Sequence, residues 1–227
     1  MQTLTDIPFD LDAPSLMAQA SVPPDSSDAR EFAKLLDAAR AAGRPKAAYR
    51  ECFIDARDDE TVTIDGVIFT SRALCMNLQD IQRVFPFVAT CGVELDRVDR
   101  SKGDVLADFW WDTIKAALLG VAAGHLNEHL AGRYRLGRTI AMSPGSGDVG
   151  VWPIEQQKQL FALLGDVHGN IGVTLTDSCL MVPNKTISGI RFPTARDFHA
   201  CQVCHREKCP SRGAPFDADL WAAIQHD

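Results

Sequence analysis

Short alternating segments, two amphipathic helices and a compact run of cysteines predict a single α+β domain with a short metal-binding tail. Alternation of apolar and polar residues in Tyr49-Arg-Glu-Cys52-Phe-Ile and in Val62-Thr-Ile-Asp-Gly-Val-Ile-Phe69 reads as strands. Apolar residues at helical spacing between Asp104 and about Leu130 read as one long helix. Three cysteines, Cys201-x-x-Cys204-x-x-x-x-Cys209, then crowd into one turn ahead of Pro210 and Arg212. Closely spaced thiolates pack poorly but form a ready ligand set for a soft metal, either zinc or an iron–sulfur cluster.

Along the chain, residues 1–29 are rich in Pro, Ser and Asp and read as an extended lead-in. Ser27 or Asp28 then caps a helix to about Ala42, with Phe32, Leu35, Leu36 and Ala39 on one face and Gly43 as its stop. The acidic Asp55–Glu60 run reads as a solvated turn between strands, and Phe85–Gly92 as a buried strand ending in a glycine turn. In the long helix, Val105, Phe109, Ile114, Leu118, Val121, Leu126 and Leu130 are apolar, with Gly132 just past the expected end. Trp110 and Trp111 point about 100° apart around it, so one is expected in the core and the other toward a groove or partner. His125 and His129 share a face, but Leu126 follows the first, where a His-Glu-x-x-His metal site needs glutamate. These are read as ordinary histidines. Two further strands, Ile171–Thr176 and Lys185–Phe192, are expected to pair with each other through Met181–Asn184. Residues 30–198 are thus the α+β domain, and 199–227 the cysteine-rich tail with a short C-terminal helix.

With 227 residues, 46% of them hydrophobic, the chain can bury a sizeable core. A net charge of −7 argues against a nucleic-acid partner held by a broad basic surface. No basic-then-apolar leader opens the sequence, and the most apolar run, Ala116–Gly124, is too short to cross a bilayer. A cytoplasmic protein with reduced thiols is expected, and seven cysteines, an odd number, suit metal ligation better than paired disulfides. Cys52, Cys75 and Cys91 sit in apolar stretches and read as buried core residues. Cys179 is the candidate fourth ligand beside Cys201, Cys204 and Cys209. A [4Fe–4S] cluster fits four thiolates, and so does zinc, in which case His199 or His205 could replace one sulfur.

Between Thr139 and Phe161, Gly145, Gly147 and Gly150 with Pro144 let the backbone pass close to a flat or charged ligand. Pro153 is placed for the first position of a helix through about Leu164, whose free N–H groups attract a carboxylate or phosphate.

Ser143-Pro-Gly-Ser-Gly-Asp148, Trp152-Pro-Ile-Glu-Gln-Gln157, Leu175-Thr-Asp-Ser-Cys179-Leu-Met-Val-Pro183 and Ile187-Ser-Gly189 together resemble the activation domain of cobalamin-dependent methionine synthase. They are most similar to free-standing forms in anaerobic bacteria that end in a Cys-x-x-Cys-x4-Cys-x-x-Arg tail. The resemblance is clearest from Ser143 to Arg212 and extends back toward Tyr49. It implies a curved, mainly antiparallel sheet with flanking helices and a shallow groove for S-adenosylmethionine. It makes Pro144, Gly145, Ser146, Gly147, Asp148 and Trp152 the cofactor-binding positions. It also implies docking over a corrinoid whose cobalt has lapsed to Co(II), with one-electron reduction and methyl transfer restoring methylcobalamin. The partner would be a cobalamin-binding methionine synthase or another corrinoid protein. Two positions depart from the pattern. Where the family carries an arginine for the methionine carboxylate and a tyrosine near cobalt, this chain has Ala141 and Ser146, with Arg138 three residues earlier. Two functions therefore stand side by side: a reactivation component with its own cluster, and a non-catalytic module that docks on a corrinoid or methyltransferase subunit and holds structural zinc.

Overall fold

A computed structural model describes residues 1–99, 104–148 and 150–225. In chain order its strands are β1 (Gln2–Leu4), β2 (Lys46–Tyr49), β3 (Cys52–Arg57), β4 (Thr61–Ile64), β5 (Val67–Thr70), β6 (Arg83–Thr90), β7 (Thr139–Met142), β8 (Thr174–Leu175), β9 (Met181–Val182) and β10 (Thr186–Pro193). The α-helices are α1 (Ala13–Gln19), α2 (Ser27–Ala42), α3 (Arg72–Asn77), α4 (Val105–Tyr134), α5 (Gln157–Leu164), α6 (Val167–Ile171) and α7 (Ala218–Gln225).

Seven of the eight residues of β6 are buried, because helices cover both its faces. One flank of β6 pairs with β2 and then β3; the other pairs with β10, which in turn carries β7. β1 extends the sheet beyond β2, and the β4–β5 hairpin extends it beyond β3. All these pairings are antiparallel, as expected for an α+β fold. Phe85, Phe87 and Ala89 on one face of β6 meet Ala122, Leu126 and Leu130 of α4. On the opposite face Val84 and Val88, with Ile190 and Phe192 of β10, meet Trp152, Leu160 and Leu163. A third cluster joins α1, α2 and the first half of α4.

Several expectations change. The first 29 residues are not merely extended. β1 joins the sheet edge, Tyr49 donates its hydroxyl hydrogen to Gln2 Oε1 (2.8 Å), and Ile7, Leu11, Leu16 and Val22 are buried. Those four apolar side chains, hidden among Pro, Ser and Asp, supply the packing that composition obscured. Ser26, one residue earlier than expected, caps α2 by accepting from the Ala29 N–H at 3.0 Å. Val62–Phe69 is two strands, because Asp65 (φ 43°) and Gly66 (φ 78°) make a tight two-residue hairpin turn of the kind Asp-Gly favours. Ile171–Thr176 does not pair with Lys185–Phe192. Gly172 (φ 78°) ends α6, and the short strand that follows pairs with β9 instead, leaving β10 to the main sheet. The long helix continues past Gly132 to Tyr134, whose ring lies 4.7 Å from that of Phe85, so packing holds the last turn. Both Trp110 and Trp111 are buried, since α1 and α2 close over the two directions they point. Cys52, Cys75 and Cys91 are buried free thiols, as expected.

Candidate functional site

The loop between β7 and α5 is held in shape by its own backbone. Gly145, Gly147 and Gly150 adopt φ of 81°, 92° and 95°, a region side chains disfavour. The Gly145 N–H donates to Trp152 O (2.8 Å), and Ser71 Oγ donates to Val151 O (2.6 Å). Trp152 lies inside the core, not on an open face: it is 1% exposed, and its ring meets Phe69 edge-on at 6.0 Å. Its Nε1–H donates to Gln156 Oε1 (3.1 Å), and Gln156 also exchanges two hydrogen bonds with the backbone of Thr70 (2.6 and 2.9 Å). Trp152 and Gln156 therefore anchor the loop. Pro153 (ψ 136°) remains extended, so the helix begins one residue later than expected, as a 3₁₀ turn over Ile154–Gln156.

A groove of about 650 Å³ runs between this loop and the β8–β9 turn. Ile154 links the two: it lines the groove, and its Cβ lies 3.1 Å from where a Cβ on Gly145 would stand. Leu180, Met181 and Cys179 line the facing wall. The floor carries Gln157, which accepts from Ser188 Oγ (2.7 Å), and Lys115, whose buried ammonium donates to Asp96 Oδ1 (2.6 Å) and Asn184 Oδ1 (2.8 Å). Lys115 was missed from the sequence, although a lone lysine inside an apolar helical run is itself a signal.

The structure brings the tail trio onto one loop. His199 Nδ1 accepts from the Cys201 N–H (3.1 Å) at the start of a 3₁₀ turn over Ala200–Val203. The Arg212 guanidinium then gathers four carbonyls, those of Cys201 (3.1 Å), Cys204 (3.0 Å), Arg206 (2.6 Å) and Ala214 (3.1 Å). The Gly213 N–H points at Cys201 Sγ (3.4 Å). Cys179, in contrast, sits in the β8–β9 turn at φ 63° and faces the groove, while Cys204 lines a separate cavity of about 240 Å³ with His205 and Phe216. Among the described residues, no three His, Cys, Asp or Glu side chains gather at metal-binding distance. Cys201, Cys204 and Cys209 thus share one loop without gathering as a ligand set, and Cys179 lines the groove.

Asp148 connects tail and loop. Its N–H donates to Val203 O (3.1 Å), and its Oδ2 accepts from His205 Nδ1 at 2.5 Å. His129 is an ordinary histidine within hydrogen-bond distance of the Tyr49 hydroxyl (2.9 Å). Burial pushes the thiols of Cys52, Cys75 and Cys91 up to about 12, 11 and 11, which keeps them protonated and inert.

Fold and groove together define an α+β unit: an open antiparallel sheet flanked by helices, with a groove at the end of the glycine loop. Among solved structures the chain is similar to the "MetH Reactivation Domain bound to AdoHcy", with a TM-score of 0.56 and 15% identity over 88% of this chain and 80% of that one. At that identity the likeness establishes the fold. No family model and no curated protein matches the sequence. Among the described residues, no helix is long and apolar enough to cross a membrane.

Proposed function

We propose that this chain is a reactivation component for a cobalamin-dependent methionine synthase or a related corrinoid methyltransferase, supporting reductive remethylation of the partner's cobalamin. The observation that supports the reading is the fold shared with a MetH reactivation domain over most of both chains, together with a groove lined by Ile154, the residue that packs on Gly145 of the glycine loop. That solved structure is described as bound to AdoHcy, and the groove here is the place for an S-adenosyl ligand. In this reading Pro144, Gly145, Ser146, Gly147 and Asp148 shape the wall, with Trp152 behind them. The chain positions reactants more than it supplies acid–base groups, so proximity carries the rate. Co(II) reduction and the methyl-accepting chemistry belong to the partner's corrinoid.

The tail adds a metal to this reading. Cys201, Cys204 and Cys209 would be the ligands, with Cys179 the candidate fourth. A [4Fe–4S] cluster would serve as a built-in electron donor, and zinc with His199 or His205 as the alternative would be structural. Ala141 and Ser146 favour a second reading, in which the chain docks on a corrinoid or methyltransferase subunit and performs no methyl transfer.

The test is anaerobic. Protein prepared without oxygen is assayed for iron, sulfide and zinc, then added with S-adenosylmethionine and reductant to a corrinoid protein in the Co(II) state. Faster return of methylcobalamin absorbance supports reactivation. A colourless chain with one zinc that binds the corrinoid protein but leaves the rate unchanged supports the docking module instead.

A further inference from the structure

A second cavity, of about 590 Å³, opens where α3 meets the β3–β4 turn and the C-terminal helix, and it shares no lining residue with the groove. Cys75 and Ile224, both buried, line it with Met76 and give it an apolar floor. Charged groups of both signs line the rest: Arg57, Asp58, Asp59 and Arg72.

These four differ in what they leave open. Arg57 closes the C-terminal end of α3, donating from Nη1 to the carbonyls of Leu78 and Gln79, which fixes its guanidinium. Its Nε and Nη2 have no partner among the described residues, and neither is sealed from solvent. Asp58 is committed to the turn. Its carboxylate accepts from the Thr61 N–H (2.6 Å), the Glu60 N–H (2.8 Å) and the Thr61 hydroxyl (2.9 Å), which hold it below its usual value. Arg72 has Glu60 at 3.6 Å, an ion pair too long for a hydrogen bond. Asp59 makes no hydrogen bond or ion pair with the described residues. Its charge still reaches the cavity floor, since the Cys75 thiol is pushed up to about 11 by burial first, then by Asp58 and Asp59.

The rim thus keeps one guanidinium edge and one carboxylate unsatisfied within residues 57–59, above an apolar floor. A simple anion would meet the carboxylate there, and a simple cation the guanidinium. A ligand that carries both charges on one carbon meets neither penalty. We infer that this cavity binds a free α-amino acid with an unbranched apolar side chain. Arg57 takes the carboxylate, Asp59 the ammonium, and Cys75, Met76 and Ile224 the side chain. A guanidinium edge with two N–H groups to give matches the two oxygens of a carboxylate. The volume falls within the roughly 300–1,000 Å³ of small-molecule sites. This site goes beyond the proposed function and does not depend on it, because cavity and groove are separate.

Nitrogen-15 NMR titration of the whole chain tests it with three probes: L-norleucine, hexanoate, which is norleucine without its amine, and pentylamine, which is norleucine without its carboxylate. Norleucine is expected to shift the amides of residues 72–79 and 223–224 saturably. It should bind at least about 10-fold more tightly than either fragment, the equivalent of one charge-assisted hydrogen bond. Asp59→Asn should bring norleucine down to about the level of hexanoate without weakening hexanoate itself. Arg57→Gln should weaken both. That change also frees the end of α3, so where it folds poorly the Asp59→Asn result decides, because Asp59 has no hydrogen bond or ion pair to lose. Norleucine that binds no better than hexanoate, Asp59→Asn that binds norleucine like wild type, or shifts that are absent or gather elsewhere each overturn the assignment.

Discussion

Replacing Gly145 with alanine tests whether the groove wall depends on that one backbone position. At φ 81° the added methyl costs about 1–2 kcal/mol in backbone strain. The same methyl would stand 3.1 Å from Cβ, Cγ1 and Cδ1 of Ile154, and such overpacking adds about 1–3 kcal/mol. The sum is about 2–5 kcal/mol, or a fall in melting temperature of roughly 4–20 °C for a domain of this size. Gly150→Ala is the control: φ is 95°, but no described atom lies within 4 Å of the new Cβ, so only the strain of about 1–2 kcal/mol applies. Urea denaturation of both variants, read by tryptophan fluorescence, gives the difference directly. Because Ile154 lies against Gly145, Gly145→Ala with Ile154→Ala should be less destabilised than the two single effects summed, as for contacting residues. If Gly145→Ala proves no worse than Gly150→Ala, or the double variant is simply additive, the packing of Ile154 over Gly145 is not what shapes the wall.

Arg212→Met should free the tail loop, whose four carbonyls lose their shared donor, and speed proteolysis within 199–213 more than elsewhere; Arg212→Lys should rescue little, since one ammonium cannot span the four acceptors. Trp152→Ala should cost about 3–5 kcal/mol in urea denaturation, as for a large core side chain, even though the residue sits beside a loop. Stability should fall as pH rises above about 9. Cys52, Cys75 and Cys91 have folded values raised to about 12, 11 and 11, so the unfolded chain loses these protons first, and each titrating thiol contributes a slope of about 1.4 kcal/mol per pH unit. A denaturation midpoint that stays flat from pH 8 to 10.5 would refute it. With Ellman's reagent at pH 8, metal-free native protein should expose the tail trio quickly and these three thiols only on unfolding.

Much of the scaffold was legible because its signals are local. The periodicity of α2 and α4, the Gly43 stop and the apolar run of β6 each report their own element. Strand partnership was not legible. Ile171–Thr176 and Lys185–Phe192 look like neighbours, yet β10 finds its partners at residues 83–90 and 139–142, contacts that no local pattern encodes. The same limit governed the site. The glycine loop and the cysteine trio were visible as motifs, whereas the Asp148–His205 pair joins residues 57 apart. Trp152 illustrates a different failure. A tryptophan inside a glycine-rich stretch is conspicuous to a reader looking for ligand contacts, but its ring is large enough to be worth more in the core.

Val203 and Ile224 share the main hydrophobic cluster with Trp152 and Leu160, and the Val203 carbonyl receives the Asp148 N–H. The last eighth of the chain is therefore a brace and not an appendage. Shortened versions ending before Ala200 would strip two plugs from the interior and untether the ligand loop at once, so whatever chemistry the cysteines perform cannot be dissected away by truncation; it has to be probed one sulfur at a time.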